Sequence, residues 1–450
     1  MFLTALRTRN PAFVEAVVAL HQAGELAAPA YAIDLDAVEE NARLIAAEAD
    51  RRGLEVFAMT KQMGRSPAFI ATVRRGGIDA GVAVDMDCAR AVTAAGMRLG
   101  HVGHLVQVAR RDAAEAAAME PANWTVFEHA KAVEAAAAAR ALGREQALLA
   151  RIADPGDTFY SGHEGGFPAE DVVRVADDID RLDGARFAGV TTFPALLYDR
   201  AARAIRPTPN LATIQRAAER LRAAGRIDLR VNAPGTTSAS VLPLLADAGA
   251  TQVEPGHGLT GTCPQHLSES EPETPAALYL SEISHHHGGR AYCFGGGLYV
   301  DPVFPAYQVR ALVSSGPSGG IEVAAEIPPA GAIDYHGMLD QPDGELPVGA
   351  SVVFGFRIQA FFARCPVVGI RGVSSGRPQA ETGSDPMARQ SAEIQSTTTW
   401  FHRSGSSHIG QCPERSKTTS SPGIRSASHS PLATGTSFSS RPQVSSVGSP

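Results

Sequence analysis

The sequence predicts an α/β chain: a (β/α)8 TIM-type barrel, then a smaller mostly-β C-terminal domain and a disordered tail. Three observations carry this. Between residues 30 and 260, about eight short strands alternate with amphipathic helices. The strands are apolar on both faces, as a parallel sheet covered by helices requires, and their number suits a closed barrel better than an open doubly wound sheet. From about Leu278 to Ile370 the chain changes to Gly- and Pro-punctuated strands without long helices. The last eighty residues hold twenty Ser and eight Thr with no apolar periodicity, too little apolar surface to offset the entropy of ordering. The expected domains are a helical N-terminal segment over 1–28, the barrel over 29–270, the β-rich domain over 271–378 and the tail over 379–450.

Met1–Gly24 reads as helical and peripheral. PAYAIDLD (29–36) is strand-like and leads into the Ala-rich helix VEENARLIAAEADRRG, capped by Asp36 or a neighbour. LEVFAMTK, DAGVAVD, LGHVGHLV, NWTVFE, ALLARIAD, RFAGVTTF, LRVNAP and TQVEPG follow as strands, separated by helices such as SPAFIATVRRGG and TPNLATIQRAAERLRAAG. ASVVFGFRIQAFFARCPVVGI reads as a regular strand, and the pattern is lost just after it. Such an abrupt loss also fits a shifted reading frame, which a clean frame around codons 370–385 would refute.

Composition narrows the function. Of 450 residues, 44% are apolar and 19% charged, the net charge is −7, and no block of five like charges occurs. A chain built to neutralise nucleic-acid phosphates or to coat an anionic membrane is excluded. The opening MFLTALRTRNPAF lacks an unbroken apolar core and a small-residue cleavage site, and no apolar run approaches the ~20 residues that span a bilayer. Five scattered cysteines (88, 263, 293, 365, 412) share no CxxC spacing, and the expectation is a cytoplasmic protein with reduced thiols.

In a barrel, chemistry sits where strands end at the C-terminal face. The first barrel strand, LEVFAMT, ends in Lys61. Partial desolvation there lowers an amine's pKa and favours the neutral form that Schiff-base chemistry needs; a lysine snorkelling from a strand end to solvent is the bland alternative. Later strand ends carry Asp85, His101 or His104, Glu128, Arg151 with Asp154, Thr191–Phe193, Asn232 and Glu254. VNAPGTTSAS puts Gly235, Thr236, Thr237 and Ser238 between a strand and a helix start, where N–H groups and hydroxyls suit a phosphate. VEPGHGLTGT follows, with Gly256 and Gly258 allowing close backbone approach and His257 adding a donor. Either loop alone could be a capped turn. Together, in the part of a barrel where phosphates bind, they point to a phosphorylated cofactor.

Lys61, the GTTS loop, the EPGHG loop and a following β domain resemble the fold-type III pyridoxal-phosphate enzymes. These include alanine racemase, ornithine and diaminopimelate decarboxylases, and D-threonine aldolase. The TKQ at the lysine and the later AYCFGGG fit an alanine racemase-like branch. The resemblance covers about residues 29–375 and implies that Lys61 carries pyridoxal 5'-phosphate covalently, with Gly235, Thr236, Thr237, Gly256 and His257 in the phosphate loops and Asn232 beside the cofactor. It also implies a homodimer with an active site shared between subunits, and a small amino acid as substrate.

The departures from the family pattern bear on chemistry. Glu254 stands where alanine racemases place an Arg against the pyridine nitrogen. A carboxylate keeps that nitrogen protonated and makes the ring a strong electron sink, so racemisation, decarboxylation and retro-aldol or elimination chemistry all stay open. Phe193 stands where many relatives stack a His. Racemisation needs proton-transfer groups on both faces of the carbanion. Lys61 serves one; in relatives the β domain of the partner subunit gives a Tyr or Cys for the other, and SHHHGGRAYCFGGGLY offers Tyr292 and Cys293. His285, His286 and His287 with Cys293 also admit a zinc reading, although strand alternation lets at most His285 and His287 converge; no metal is expected. Arg151 either holds a carboxylate or cofactor oxygen or pairs with Asp154, and His163 and Glu164 occupy the loop after its strand. The leading expectation is a pyridoxal-phosphate amino-acid racemase; the alternatives are a decarboxylase or lyase of the same fold, and a non-catalytic carrier of the cofactor, against which the β domain argues.

Overall fold

A computed structural model of the chain describes residues 1–267, 271–300, 308–317, 319–329, 331–341, 344 and 346–381. The first strand, β1 (Ala30–Asp34), precedes the barrel. The barrel is built from β2 (Glu55–Val56), β3 (Ala58–Met59), β4 (Ala80–Ala83), β5 (Arg98–Val102), β6 (Asn123–Val126), β7 (Gln146–Arg151) and β8 (Ala185–Thr191). A hairpin of β9 (Leu196–Asp199) and β10 (Ala204–Pro207) interrupts it before β11 (Arg230–Asn232) and β12 (Gln252–Val253) complete it. The barrel strands pair in parallel in the order β2-β12-β11-β8-β7-β6-β5-β4-β3. β2 and β3 are two halves of one run broken at Phe57, whose N–H still donates to Val253 O (3.0 Å). That run closes the sheet, pairing with β12 on one side and β4 on the other, so the eight-strand expectation holds.

The helices cover this barrel for ordinary reasons. Helix Leu35–Arg52 is capped by Asp34, whose carboxylate accepts from the N–H groups of Asp36 and Ala37, and it buries Val38, Ala42 and Ile45. Inside the barrel, Phe57 fills the space beside β5: a Cβ on Gly100 would lie 2.2 Å from its ring.

The second sheet comprises β13 (Ala277–His287), β14 (Arg290–Phe294), β15 (Val309–Ser314), β16 (Ile321–Glu326), β17 (His336–Leu339), β18 (Ser351–Phe354), β19 (Val367–Arg371) and β20 (Gln379–Glu381). Its order is β14-β17-β16-β15-β18-β13-β1-β19-β20, with β13 also paired to β14.

Four expectations change here. β1, counted with the barrel, belongs to this second sheet, antiparallel to β13 and parallel to β19. A five-residue strand buried on both faces carries no mark of which sheet it joins. Helices Phe2–Arg9 and Pro11–Gln22 are not peripheral: Leu6, Phe13 and Val17 form a core with Leu278, Leu280, Leu312 and Val353 on this sheet. The run read as one strand over 351–371 breaks into β18, a 3-10 turn (Ala360–Phe362) and β19. Finally, β20 pairs with β19, so regular structure crosses the boundary expected at 378/379; the rest of the expected tail lies outside the described residues. No helix among the described residues is long and apolar enough to cross a membrane.

Candidate active site

The C-terminal ends of the barrel strands and the segment Arg357–Phe362 of the β domain enclose a cleft of about 530 Å³. β3 stops at Met59, and the next residues wind into one 3-10 turn (Lys61–Met63) closed by Gly64 in the left-handed region (φ 61). The turn directs Lys61 into the cleft, with Nζ 5.6 Å from the centre of the Phe361 ring. Burial lowers the pKa of the amine, in the direction that favours a neutral nucleophile.

Glu254, directly after β12, is buried in the lining of the same cleft. Its Oε1 accepts from His101 Nδ1 (2.6 Å) and from the Asn232 amide (3.0 Å). The Thr191 hydroxyl donates to Asn232 Oδ1 (2.7 Å), which turns the amide nitrogen toward Glu254, and Thr125 Oγ1 lies 2.5 Å from His101 Nε2. His101 and Asn232 thus meet at one carboxylate oxygen, each held from behind by a threonine of a neighbouring barrel strand. Burial alone would raise the Glu254 pKa, yet the two histidines and these hydrogen bonds bring it below the ordinary range. Its second oxygen, Oε2, is buried with no hydrogen-bond partner among the described residues. His104 Nε2 lies 3.3 Å from it without hydrogen-bond geometry, and both His104 ring nitrogens are likewise unpartnered. Burial drives the His104 pKa down to about 3, so the ring is neutral.

Gly235, Thr236, Thr237, Gly256 and His257 line one end of the cleft together. The loops touch backbone to backbone: a Cβ on Gly258 would stand 2.4 Å from Thr237 O, and one on Gly235 would stand 2.7 Å from Leu196 N. The His257 side chain does not aim at a phosphate. Its Nε2 donates to Ile358 O (2.8 Å) and ties this turn to the β domain.

Phe193 lines the cleft with its ring edge-on to His104 (5.6 Å) and flanked by Tyr160 (5.8 Å). Arg151 lies behind the lining. It is fully buried, 4.5 Å from the Phe127 ring centre, and donates to the carbonyls of His163 and Phe193. Burial lowers its pKa to about 10, opposed by Glu164. Its contacts are with loop backbone rather than with Asp154, which pairs with Arg216.

Tyr292 and Cys293 do not line this cleft. Cys293 is 0% exposed, packed toward Gly337 in the β domain, and burial pushes its thiol pKa up to about 11. A thiol with no exposed surface cannot meet a second subunit's cofactor. Tyr292 points the other way, stacked on His285 (4.6 Å between ring centres). His285 and Cys293 therefore occupy opposite faces, so the histidine–cysteine zinc arrangement does not assemble. Among the described residues, the trios that bring ligand atoms within 4.8 Å are His101–His104–Glu254 and His266–Glu271–Glu273. Reasoning from the sequence missed Arg357, Gln359 and Phe361, which enter the cleft from the β domain.

The arrangement fits pyridoxal phosphate. Glu254 Oε2, a buried acceptor without a donor, would take a protonated ring nitrogen, and a desolvated amine and paired glycine loops line the same cleft.

The comparisons agree. Residues 33–264 match the alanine racemase, N-terminal domain family, and residues 278–380 match the YhfX-like, C-terminal domain family. The Uncharacterized protein YhfX of Escherichia coli (strain K12) is 39% identical over 380 residues, covering 84% of this chain and 96% of that protein. D-threonine aldolase from Filomicrobium marinum shares the fold at 18% identity (TM-score 0.60, 78% of this chain and 92% of that one). So does D-threo-3-hydroxyaspartate dehydratase from Delftia sp. HT23, at 21% identity (TM-score 0.57, 80% and 97%). With its lysine, carboxylate and glycine loops set at one barrel mouth, the chain belongs to the alanine racemase N-terminal-domain family of fold-type III pyridoxal-phosphate proteins.

Proposed function

We propose that the protein is a pyridoxal-phosphate enzyme acting at Cα of a small amino acid, and that its reaction is racemisation. The observation that carries the reading is the pairing, in one cleft, of the Lys61 amine with the unpartnered Glu254 Oε2. When bound, the cofactor supplies an electron sink for negative charge at Cα. Lys61 Nζ would bind the cofactor aldehyde and hold or return a proton on one face, and its pKa, lowered by burial, favours the neutral amine. Glu254 Oε2 would accept the ring N–H of the bound cofactor, and His101 and Asn232 fix the carboxylate's orientation through Oε1. Phe193 and Tyr160 wall the cleft with aromatic surface and exclude water.

The opposite face needs a second proton carrier. Tyr292 is the residue we assign to it, reaching the cleft of a second copy of the chain, because its ring is partly exposed whereas Cys293 is enclosed. Lyase chemistry is the second reading, favoured by Glu254: a charged acceptor makes the strongest sink, and bond cleavage needs no second proton carrier on the far face. Incubation with a panel of D- and L-amino acids in deuterium oxide separates the two. Racemisation returns both enantiomers, deuterated at Cα, with the carbon skeleton intact; an aldehyde, oxo acid or carbon dioxide as product refutes it. Absence of both α-proton exchange and any such product refutes Cα chemistry altogether.

A further inference from the structure

Among the described residues, the β domain sends one cation, Arg357, into the cleft. Arg357 lies three residues past β18 and lines the cleft with Gln359 and Phe361. Its position along the cleft is fixed by its neighbour: the Ile358 carbonyl accepts from His257 Nε2 at 2.8 Å, which pins this segment to the turn after β12. The Arg357 charge is felt at His257 and at Cys263, whose Sγ lies 3.9 Å from Thr237 O. The same charge is felt at Lys61, so the guanidinium acts on the turn after β12 and on the amine within one cleft.

The charges of the lining show what is missing there. Among the described residues that line the cleft, the lysines and arginines are Lys61 and Arg357, and the carboxylates are Asp85 and Glu254. His257 and His104 are held neutral by burial. A phosphate monoester brings about −1.5 to −2 charges at pH 7. Loop N–H groups and the hydroxyls of Thr236 and Thr237 can solvate that charge but not neutralise it, and Lys61 is committed to the aldehyde.

We propose that Arg357 is the counter-ion of the cofactor phosphate, so that the β domain completes a site the barrel alone leaves uncompensated. The proposal rests on the cofactor reading above. It assigns the guanidinium to the cofactor and not to a substrate carboxylate.

The test is titration of the full-length apoprotein with pyridoxal phosphate and with pyridoxal, read by absorbance and by equilibrium dialysis. Wild type should prefer the phosphorylated form. A charge-assisted hydrogen bond of this kind is worth about tenfold to a hundredfold in affinity, and R357Q should lose that much of the preference while its pyridoxal affinity stays unchanged. Unchanged pyridoxal binding also shows that the variant is folded. R357K should recover part of the preference, keeping the charge without the planar fork. The assignment is overturned if R357Q weakens both ligands equally, or if it leaves both unchanged and raises only the KM of an amino-acid substrate. Wild type that binds neither ligand overturns the cofactor reading itself, a result distinct from an unaltered preference in R357Q.

Discussion

His104 supplies a quantitative test of how dry the Glu254 end of the cleft is. The imidazole is fully buried, faces Glu254, His101, Arg151 and Lys61, and has its pKa lowered by burial from 6.5 to about 3. A group whose folded pKa lies below its unfolded value adds stability at high pH that is lost as pH falls through the window between the two. That window runs here from about pH 6.5 to about pH 3. At pH 4 the unfolded imidazole is protonated and the folded one is mostly neutral. About two and a half units, at about 1.36 kcal/mol per unit, give a loss near 3 kcal/mol between pH 7 and pH 4. The His104→Leu variant should lack this component. The assay is urea denaturation of cofactor-free wild type and variant at both pH values. The other titrating groups are common to the two proteins, so the difference in their pH 7-to-4 losses reports the imidazole together with its effect on Glu254. Wild type should lose about 3 kcal/mol more than the variant. Equal losses would mean that His104 is solvated or titrates normally, and the dry carboxylate end would be wrong.

Other outcomes follow from the same geometry. Lys61→Met should abolish the visible absorption of the cofactor-loaded protein and stabilise the apoprotein at neutral pH. A lowered amine pKa makes wild-type stability rise as pH climbs toward 10.5, so the variant's advantage should shrink over that range in denaturation curves. Gly258→Ala forces a Cβ to within 2.4 Å of the Thr237 carbonyl, so the loops must part, and dialysis should show at least about tenfold faster loss of cofactor. Cys293→Ser should cost about 1–3 kcal/mol through a buried hydroxyl yet leave the rate of α-proton exchange unchanged. Tyr292→Phe should slow racemisation by about a hundredfold or more without loss of stability; the reverse pattern would return the far-face role to the cysteine.

Much of this site could be read from the sequence because barrel strands end in short, recognisable turns. Lys61 after an apolar strand, Glu254 ahead of Pro255 and the glycines at 235, 256 and 258 all carry their chemistry in local order. Asn232 and the two histidines at 101 and 104 could be placed at strand ends, but not their convergence on Glu254, which depends on barrel closure across 153 residues between His101 and Glu254. For Arg151 the sequence leaves a ligand oxygen and Asp154 open as partners, because a strand-end cation looks the same whether it faces the cleft or the back of a loop; the structure packs it against Phe127 and on loop carbonyls. Arg357 sits inside an apolar run that reads as uninterrupted strand, and only the 3-10 turn at Ala360–Phe362 brings that segment over the barrel mouth. Strand alternation put Tyr292 and Cys293 on opposite faces, but sheet order was needed to tell the interior face from the exterior one.

The central claim is a covalent bond between the Lys61 amine and the cofactor. Borohydride reduction of the cofactor-loaded protein, followed by peptide mass spectrometry, measures it directly. A phosphopyridoxyl group on Lys61 alone, absent from Lys61→Ala treated in the same way, is the result expected. An unmodified Lys61 peptide, or the label on some other lysine, would contradict it.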